Sequence, residues 1–355
     1  MPTSSYRFIN VCEKKVYINL SCMKFLSIII PIYKAEKYIA ECLESIFRQG
    51  LNDEDFEVVL VNDGTPDNSI EVVEDIIHHH HNIIVINQTN QGVSIARNAG
   101  FAKATGEYVY FVDPDDILID NSLSVLMDHL IGTQIDILMA DYIRFNDGDM
   151  SENVLHTVQD YSAVEKTGTE IFCDDLSPYE CYIWRMLIRR DFLLHNEIFF
   201  KPFWFEDVLF CHECYLKADR CVKASFLLYY YRLHSGSFTS SMDLRKMLDL
   251  NSALAGLWNL RGIGNAQEPI VERKLMDNIF RTLSFYLWCI SHNEQLCAKR
   301  RQVVKDLKSK ISPREFNFSD SPKQRIVSFF FRYIPNLYIK FRSSLYFISK
   351  KSKEG

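Results

Sequence analysis

Glu107-Tyr108-Val109-Tyr110-Phe111-Val112-Asp113-Pro114-Asp115-Asp116 sets three carboxylates directly after a short run of aromatic and β-branched residues. An apolar run of that length, followed at once by turn chemistry, predicts a strand buried in a parallel sheet. The carboxylates then fall at the strand's carboxyl end, where open α/β sheets bind their ligands. Pro114 fixes one backbone angle between Asp113 and Asp115 and turns the chain. Hard oxygen ligands crowded together in this way suit a divalent cation, Mn²⁺ or Mg²⁺, shared with substrate phosphates. The same residues also suit an acidic turn that caps the following helix, so the neighbouring segments must decide.

Those segments alternate regularly. Phe25–Tyr33 reads as a buried strand ended by proline chemistry at Pro31, and Ile39, Leu43, Ile46 and Phe47 then fall at helical spacing. Phe56–Val61 predicts a second strand that runs into Asn62-Asp63-Gly64-Thr65-Pro66-Asp67, followed by a helix burying Ile70, Val73, Ile76 and Ile77. Ile83–Ile86 predicts a third strand, and Asn87–Gly92 leads into a helix carrying Arg97 and Asn98. The acidic stretch follows as the fourth strand. This β-α-β-α-β-α-β order specifies a parallel sheet with right-handed crossovers. A helix over 123–130 and a strand over 135–140 are expected to continue it, and 144–170 reads as loops with weak strands.

A second acidic pair, Glu206-Asp207, precedes apolar residues at helical spacing, which puts it at a helix N-terminus where anions are favoured. His78–His81 closes the second helix and reads as a solvated helix end. Cys211-His212-Glu213-Cys214 has CxxC spacing without a second pair nearby and reads as core thiols. The ten cysteines show no small-domain spacing, which fits a reducing, cytoplasmic setting.

Composition is ordinary globular, with 47% hydrophobic and 24% charged residues. The net charge of −6 argues against nucleic acid as a partner, yet it divides into +7 on residues 321–355 and −13 on the rest. The expected organisation is a peripheral extension over 1–22 with Met23 as a candidate start, a catalytic domain over 23–243, and a helical region over 244–319. A basic aromatic tail over 320–355 is expected to lie at a membrane interface, on the inner face of the cytoplasmic membrane.

Taken in order, Ser27–Lys34, Val59–Gly64, Asn90–Asn98 and Phe111–Asp116 resemble the motifs of family 2 glycosyltransferases of bacterial polysaccharide synthesis. Trp184–Arg190, Glu206-Asp207 and Tyr231-Arg232 match in type and order as well. The resemblance spans about residues 25–240 and implies an α/β GT-A fold, a Rossmann-like and mostly parallel sheet flanked by helices, here with a C-terminal helical extension. It implies inverting transfer of a sugar from a nucleotide donor, most often a UDP-sugar, to a glycan or lipid-linked glycan acceptor.

The same resemblance implies roles for single residues. Pro31, Tyr33 and Glu36 would face the nucleotide, Asp63 would accept a hydrogen bond from the base, and Asn90, Gly92 and Arg97 would cover the nucleotide-sugar side. Asp113 and Asp115 would hold the cation, with His234 as a further candidate ligand and Asp116 near the donor sugar. Asp207, beside Glu206, would be the general base. Asn62 and Lys34 depart from the usual pattern without removing a metal ligand. A sugar-phosphate nucleotidyltransferase is the rival enzyme class, but Pro31-Ile32-Tyr33-Lys34-Ala35-Glu36 lacks the glycines of its phosphate loop. The G-x-G-x-x-G of a NAD enzyme is missing too. The non-catalytic rival is a carbohydrate-binding scaffold, which would be expected to have lost one of the carboxylates.

Overall fold

The computed structural model describes residues 6–11, 14–19, 24–148, 161–234, 242–312, 318, 321–333 and 335–354. The chain divides into two compact units: Met1–Glu165 with Ile183–Phe199 and Arg220–Leu233, and Lys166–Tyr182 with Phe200–Asp219 and His234–Gly355.

In the first unit, β1 (Tyr6–Val11) and β2 (Lys14–Asn19) form an antiparallel pair with Tyr6 opposite Asn19. The sequence showed no periodicity there, because strands of six residues give alternation little room to register against polar neighbours. The main sheet begins with β3 (Leu26–Ile32), β4 (Phe56–Asp63), β5 (Ile83–Gln88) and β6 (Tyr108–Phe111), all parallel and ordered β5-β4-β3-β6. Helices α1 (Ile39–Phe47), α2 (Glu74–His79) and α3 (Val93–Lys103) make the crossovers. Every residue of β3 is buried, as a strand covered on both faces requires. The strand order reverses between β3 and β6, so their carboxyl ends frame a switch point.

Beyond β6 come β7 (Ile117–Leu118), α4 (Ser122–Leu130), β8 (Ile137–Asn146), β9 (Ser162–Lys166), β10 (Met186–Arg189) and β11 (Cys221–Leu233). The strand expected to continue the sheet, β8, is not the neighbour of β6. Instead β10 lies antiparallel between them, making the sheet mixed. A run as short as Met186-Leu187-Ile188 carries no sign of which strands it will pair with, so only long-range pairing reveals it. β11 runs parallel to β8 with irregular register: Lys223 to Tyr229 opposes only Met139 to Tyr142. Such bulges bend a strand and re-aim its side chains.

The second unit is helical: α5 (Gly168–Asp174), α6 (Glu206–Lys217), α7 (Leu244–Asn259), α8 (Pro269–His292), α9 (Arg300–Lys310), α10 (Pro322–Tyr333) and α11 (Pro335–Glu354). The heptad-like apolar residues of 244–311 become the buried faces of α7, α8 and α9. Thr167 and Glu170 close a capping box at α5. A Cβ on Gly168 would stand 2.2 Å from the Tyr215 carbonyl oxygen, so only glycine allows that approach. Cys211 and Cys214 are buried on α6, as core thiols.

Between them His212 is fully buried: its Nδ1 lies 2.6 Å from the Val208 carbonyl and its Nε2 3.0 Å from Asn278 Nδ2. Nδ1 donating and Nε2 accepting define a neutral imidazole, and burial lowers its pKa to about 4. Below pH 6.5 the unfolded chain gains a proton that the folded chain refuses until about pH 4. Stability should therefore fall as pH drops across that window, by up to roughly 3 kcal/mol. Urea midpoints of the native chain and of His212→Gln, taken across the window, test this. The native midpoint should fall more steeply towards acid than that of the variant, and parallel curves would reject the neutral, buried imidazole.

Candidate active site

Val112 donates its N–H to Ile29 O at 3.0 Å, the last bond between β6 and β3. Pro31, two residues further along β3, has no N–H to offer, and the strands part there. The turn Asp113–Asp116 fills this position. Asp116 N–H closes it on Asp113 O at 3.3 Å. From β11, Tyr229 OH accepts Asp113 N–H at 3.2 Å and also bonds the Asp116 carboxylate. Arg232 N–H meets Asp116 Oδ1 at 2.7 Å, and Arg232 Nε meets Asp115 O at 2.8 Å. From α3, Arg97 Nη2 pairs with Asp113 Oδ1 at 2.8 Å. The turn is thus held from three separate elements.

Burial pushes the Asp113 carboxyl up, opposed by the Arg97 charge and reinforced by Asp115. Asp116, 1% exposed, is pushed well up by burial and then by Asp115 and Asp113. Arg232 itself is buried, with Nη1 on Asp147 at 3.0 Å and Nη2 on Glu41 at 2.5 Å, between the rings of Tyr38 and Phe145. Lys37 and Tyr38 also bind Asp147, and together these partners hold its pKa near 2. Five carboxylates (Glu41, Asp113, Asp115, Asp116, Asp147) thus meet three cations (Lys37, Arg97, Arg232). Carboxyl groups outnumber the cations, and a divalent ion bound there would favour their ionised forms against burial. Among the described residues no three acidic, His or Cys side chains form a complete metal cage. Asp113 and Asp115 would supply part of a ligand set that substrate phosphates complete.

On the β4 side, Asp63 is buried and accepts from Gln88 Nε2, Gln91 N–H and Gly92 N–H, each at 2.8 Å. Gly64, at φ 62°, leaves no room for a Cβ, which would stand 2.8 Å from Asn90 N. Asp63 therefore binds the Gln88–Gly92 loop to the end of β4. Asp67 and Ser69 bind the backbone of Glu36 and Ala35, and the Glu36 carboxylate holds Asn68. Around these ties Tyr33 and Asn90 stand exposed, Tyr33 at 45%. The structure brings Pro31, Asp63, Arg97, Asp113, Asp115 and Asp116 to the strand ends of the first unit, with Tyr33, Glu36, Asn90 and Gly92 on the adjoining loops.

Glu206, Asp207 and His234 belong to the second unit. Glu206 and Asp207 open α6, as expected, and Asp207 Oδ1 accepts Val208 N–H at 2.8 Å. Phe205 before them has φ 67°, a conformation costly for a bulky side chain and characteristic of functional turns. Asp249 on α7 accepts the Trp204 N–H and steadies that turn. His234 directly follows β11. The stretch over 144–170, expected to be loops with weak strands, lies partly, at 149–160, outside the described residues, as do Ser235, Gly236 and Ser237.

Sequence reasoning missed Tyr38, Glu41, Asp147, Tyr229 and Asp249, and saw Arg232 only as part of a motif. Trp184 was likewise seen only within its segment, yet its ring stacks on Tyr229 at 4.3 Å and fixes the tyrosine that holds the turn. The one available signal was an arginine ending the tyrosine run of β11, where a buried cation demands carboxylates. Arg232→Met should cost roughly 1–2 kcal/mol, because the solvent-accessible Glu41 and Asp147 lose their shared counterion, and Arg232→Lys should recover part of it. Urea unfolding measures both, and a loss within about 0.5 kcal/mol for Met would show that the network does not carry the fold.

Residues 27–194 match the family model described as glycosyl transferase family 2. The chain is 34% identical over 223 residues to the glycosyltransferase EpsJ of Bacillus subtilis, covering 60% of this chain and 62% of that protein. It is 29% identical over 220 residues to glycosyltransferase GlyG of Streptococcus pneumoniae, covering 60% and 72%. The crystal structure of S. aureus TarS 1–349 in complex with UDP superposes with a TM-score of 0.70 at 23% identity, over 92% of both chains. Matched domain, motif order and sheet topology agree: residues 27–194 carry a glycosyl transferase family 2 domain, and the chain has the GT-A fold, with helices following it.

Proposed function

We propose that the chain is an inverting glycosyltransferase that moves a sugar from a nucleoside-diphosphate donor, a UDP-sugar, to a hydroxyl of a growing lipid-linked glycan in cell-surface polysaccharide synthesis. The observation that carries this reading is the acidic turn at the switch point, braced by Arg97 and Arg232, with more carboxyl groups than cations around it. TarS, which shares the fold, has been crystallised with UDP and with UDP-GlcNAc, and the Pyrobaculum calidifontis mannosyltransferase PcManGT, with a TM-score of 0.51, with GDP-Man and Mn²⁺.

Asp113 and Asp115 are the residues to hold Mn²⁺ or Mg²⁺, with His234 as a further candidate. Such an ion, when bound, neutralises the charge that develops on the departing diphosphate. Tyr33 offers an exposed face to the base, beside Pro31 and Glu36. Asp63 shapes the pocket by holding Asn90–Gly92. A carboxylate offers about four acceptor positions, so one remains for the base. Arg97 restrains Asp113, and Asp116 borders the sugar. As the acceptor oxygen bonds to the anomeric carbon, the carbon–phosphate oxygen bond breaks and Asp207 takes the acceptor's proton, with Glu206 beside it. The acceptor's lipid places the work at the inner face of the cytoplasmic membrane.

Asp207→Asn should lower transfer by about 10²–10⁴-fold while donor affinity is kept. Transfer near the native rate would remove Asp207 from the mechanism. Asp113→Ala should abolish the gain in UDP-sugar affinity that Mn²⁺ confers, read by calorimetry. An undiminished Mn²⁺ effect would reject the cation role, and a panel of nucleotide sugars titrated in the same way identifies the donor.

A further inference from the structure

The second unit holds a cavity of about 570 Å³ lined by Tyr179, Phe285, Trp288, Lys323, Tyr338 and Arg342. Trp288 is half exposed, and its ring stacks on Phe285. Arg342 lies over the Tyr338 ring, which in turn stacks on Phe330 of α10 at 4.8 Å. Beside it, Ile326, Phe329, Tyr333, Leu337 and Phe341 recur every three or four residues along α10 and α11, each 54–61% exposed. A row of large apolar side chains left in water marks an interaction surface.

Charge identifies the partner. Residues 321–355 carry +7 while the rest of the chain carries −13, so the cations are concentrated on the two helices that expose the aromatic rings. Among the described residues no helix is long and apolar enough to cross a membrane. Amphipathic helices of this kind, basic and aromatic but unable to span, lie in the headgroup plane of anionic bilayers. We propose that α10 and α11 dock on an anionic phospholipid bilayer, with the exposed row entering the acyl boundary and a lipid phosphate seated in the cavity between Lys323 and Arg342. Arg342 is suited to that phosphate by its fixed fork of donors. The proposal fits a lipid-linked acceptor but needs neither donor nor transfer.

The full chain is sedimented with vesicles of phosphatidylcholine mixed with phosphatidylglycerol, and with phosphatidylcholine alone. Binding to the mixed vesicles only, released by salt, is expected, with a blue shift of tryptophan emission that Trp288→Phe removes. Lys323→Gln combined with Arg342→Gln should weaken partition about thirtyfold, and Phe329→Ser combined with Phe341→Ser should weaken it at every salt concentration. These side chains are at the surface, and unchanged circular dichroism confirms that the variants fold. Equal partition onto both vesicles, or native partition of the double cation variant, overturns the proposal. So does vesicle-free self-association that buries the row, which would make a second copy the occupant. An emission shift with inorganic phosphate but none with vesicles overturns it in favour of a free-phosphate site. UDP-sugar hydrolysis by the same variants should stay native, so failure of docking and failure of the transferase reading are told apart.

Discussion

A guanidinium taken out of water must find carboxylates, and Arg232 imposes that demand on the parts of the first unit that frame the acidic turn. It draws Glu41 from α1 and Asp147 from the end of β8, and its backbone fixes Asp116. The bulged register of β11 makes this geometry available by delivering Tyr229 and Arg232 to the turn while β7 is paired on the strand's other edge. The turn itself is closed by Asp116 N–H on the Asp113 carbonyl. Its shape is set from outside, by a tyrosine, two arginines and the end of β3, so its carboxylates are held close together despite mutual repulsion.

This division of labour explains what could be read from the chain. The β5-β4-β3-β6 core was legible because each buried parallel strand needs an unbroken apolar run, and those runs alternate with helical spacing. The acidic turn was legible as the end of the fourth strand because the apolar run stops at three carboxylates and a proline, while its role rested on the neighbouring segments. The pair at the start of α6 was legible for a similar reason, since charge and apolar spacing change together at Asp207. β10 was not, because its position between β6 and β8 depends on pairing partners far away in sequence. Nor was the network around Arg232: Glu41 looks like any solvent-facing helix residue, and Asp147 like any turn residue, until the fold brings the arginine between them.

Asp63 shows a subtler gap. The family resemblance implies a place for it in the site, and the structure sets it at the end of β4. Its carboxylate nevertheless receives two backbone N–H groups and a glutamine amide from the next loop. A buried carboxylate with three such donors does local work first: it joins two loops that would otherwise be tied only at their ends. Residue identity signals that a carboxylate is needed and leaves open whether the need is for a ligand or for the loop beside it. Hydrogen-bond geometry separates the two.

The electrostatics of the turn also assign a task to the cation that Asp113 and Asp115 are suited to hold. A diphosphate approaching a cluster with more carboxylates than cations meets repulsion, strengthened because the carboxylates are partly withdrawn from water. Arg97 cannot reverse the sign alone, since its charge is already engaged by Asp113. On the proposed reading, a divalent ion there would change a site that repels the donor into one that attracts it. In the proposed mechanism proton removal from the acceptor falls to Asp207, which opens a helix of the other unit. Donor affinity should therefore depend on the ion far more than on Asp207, and the two functions can be altered separately by mutation.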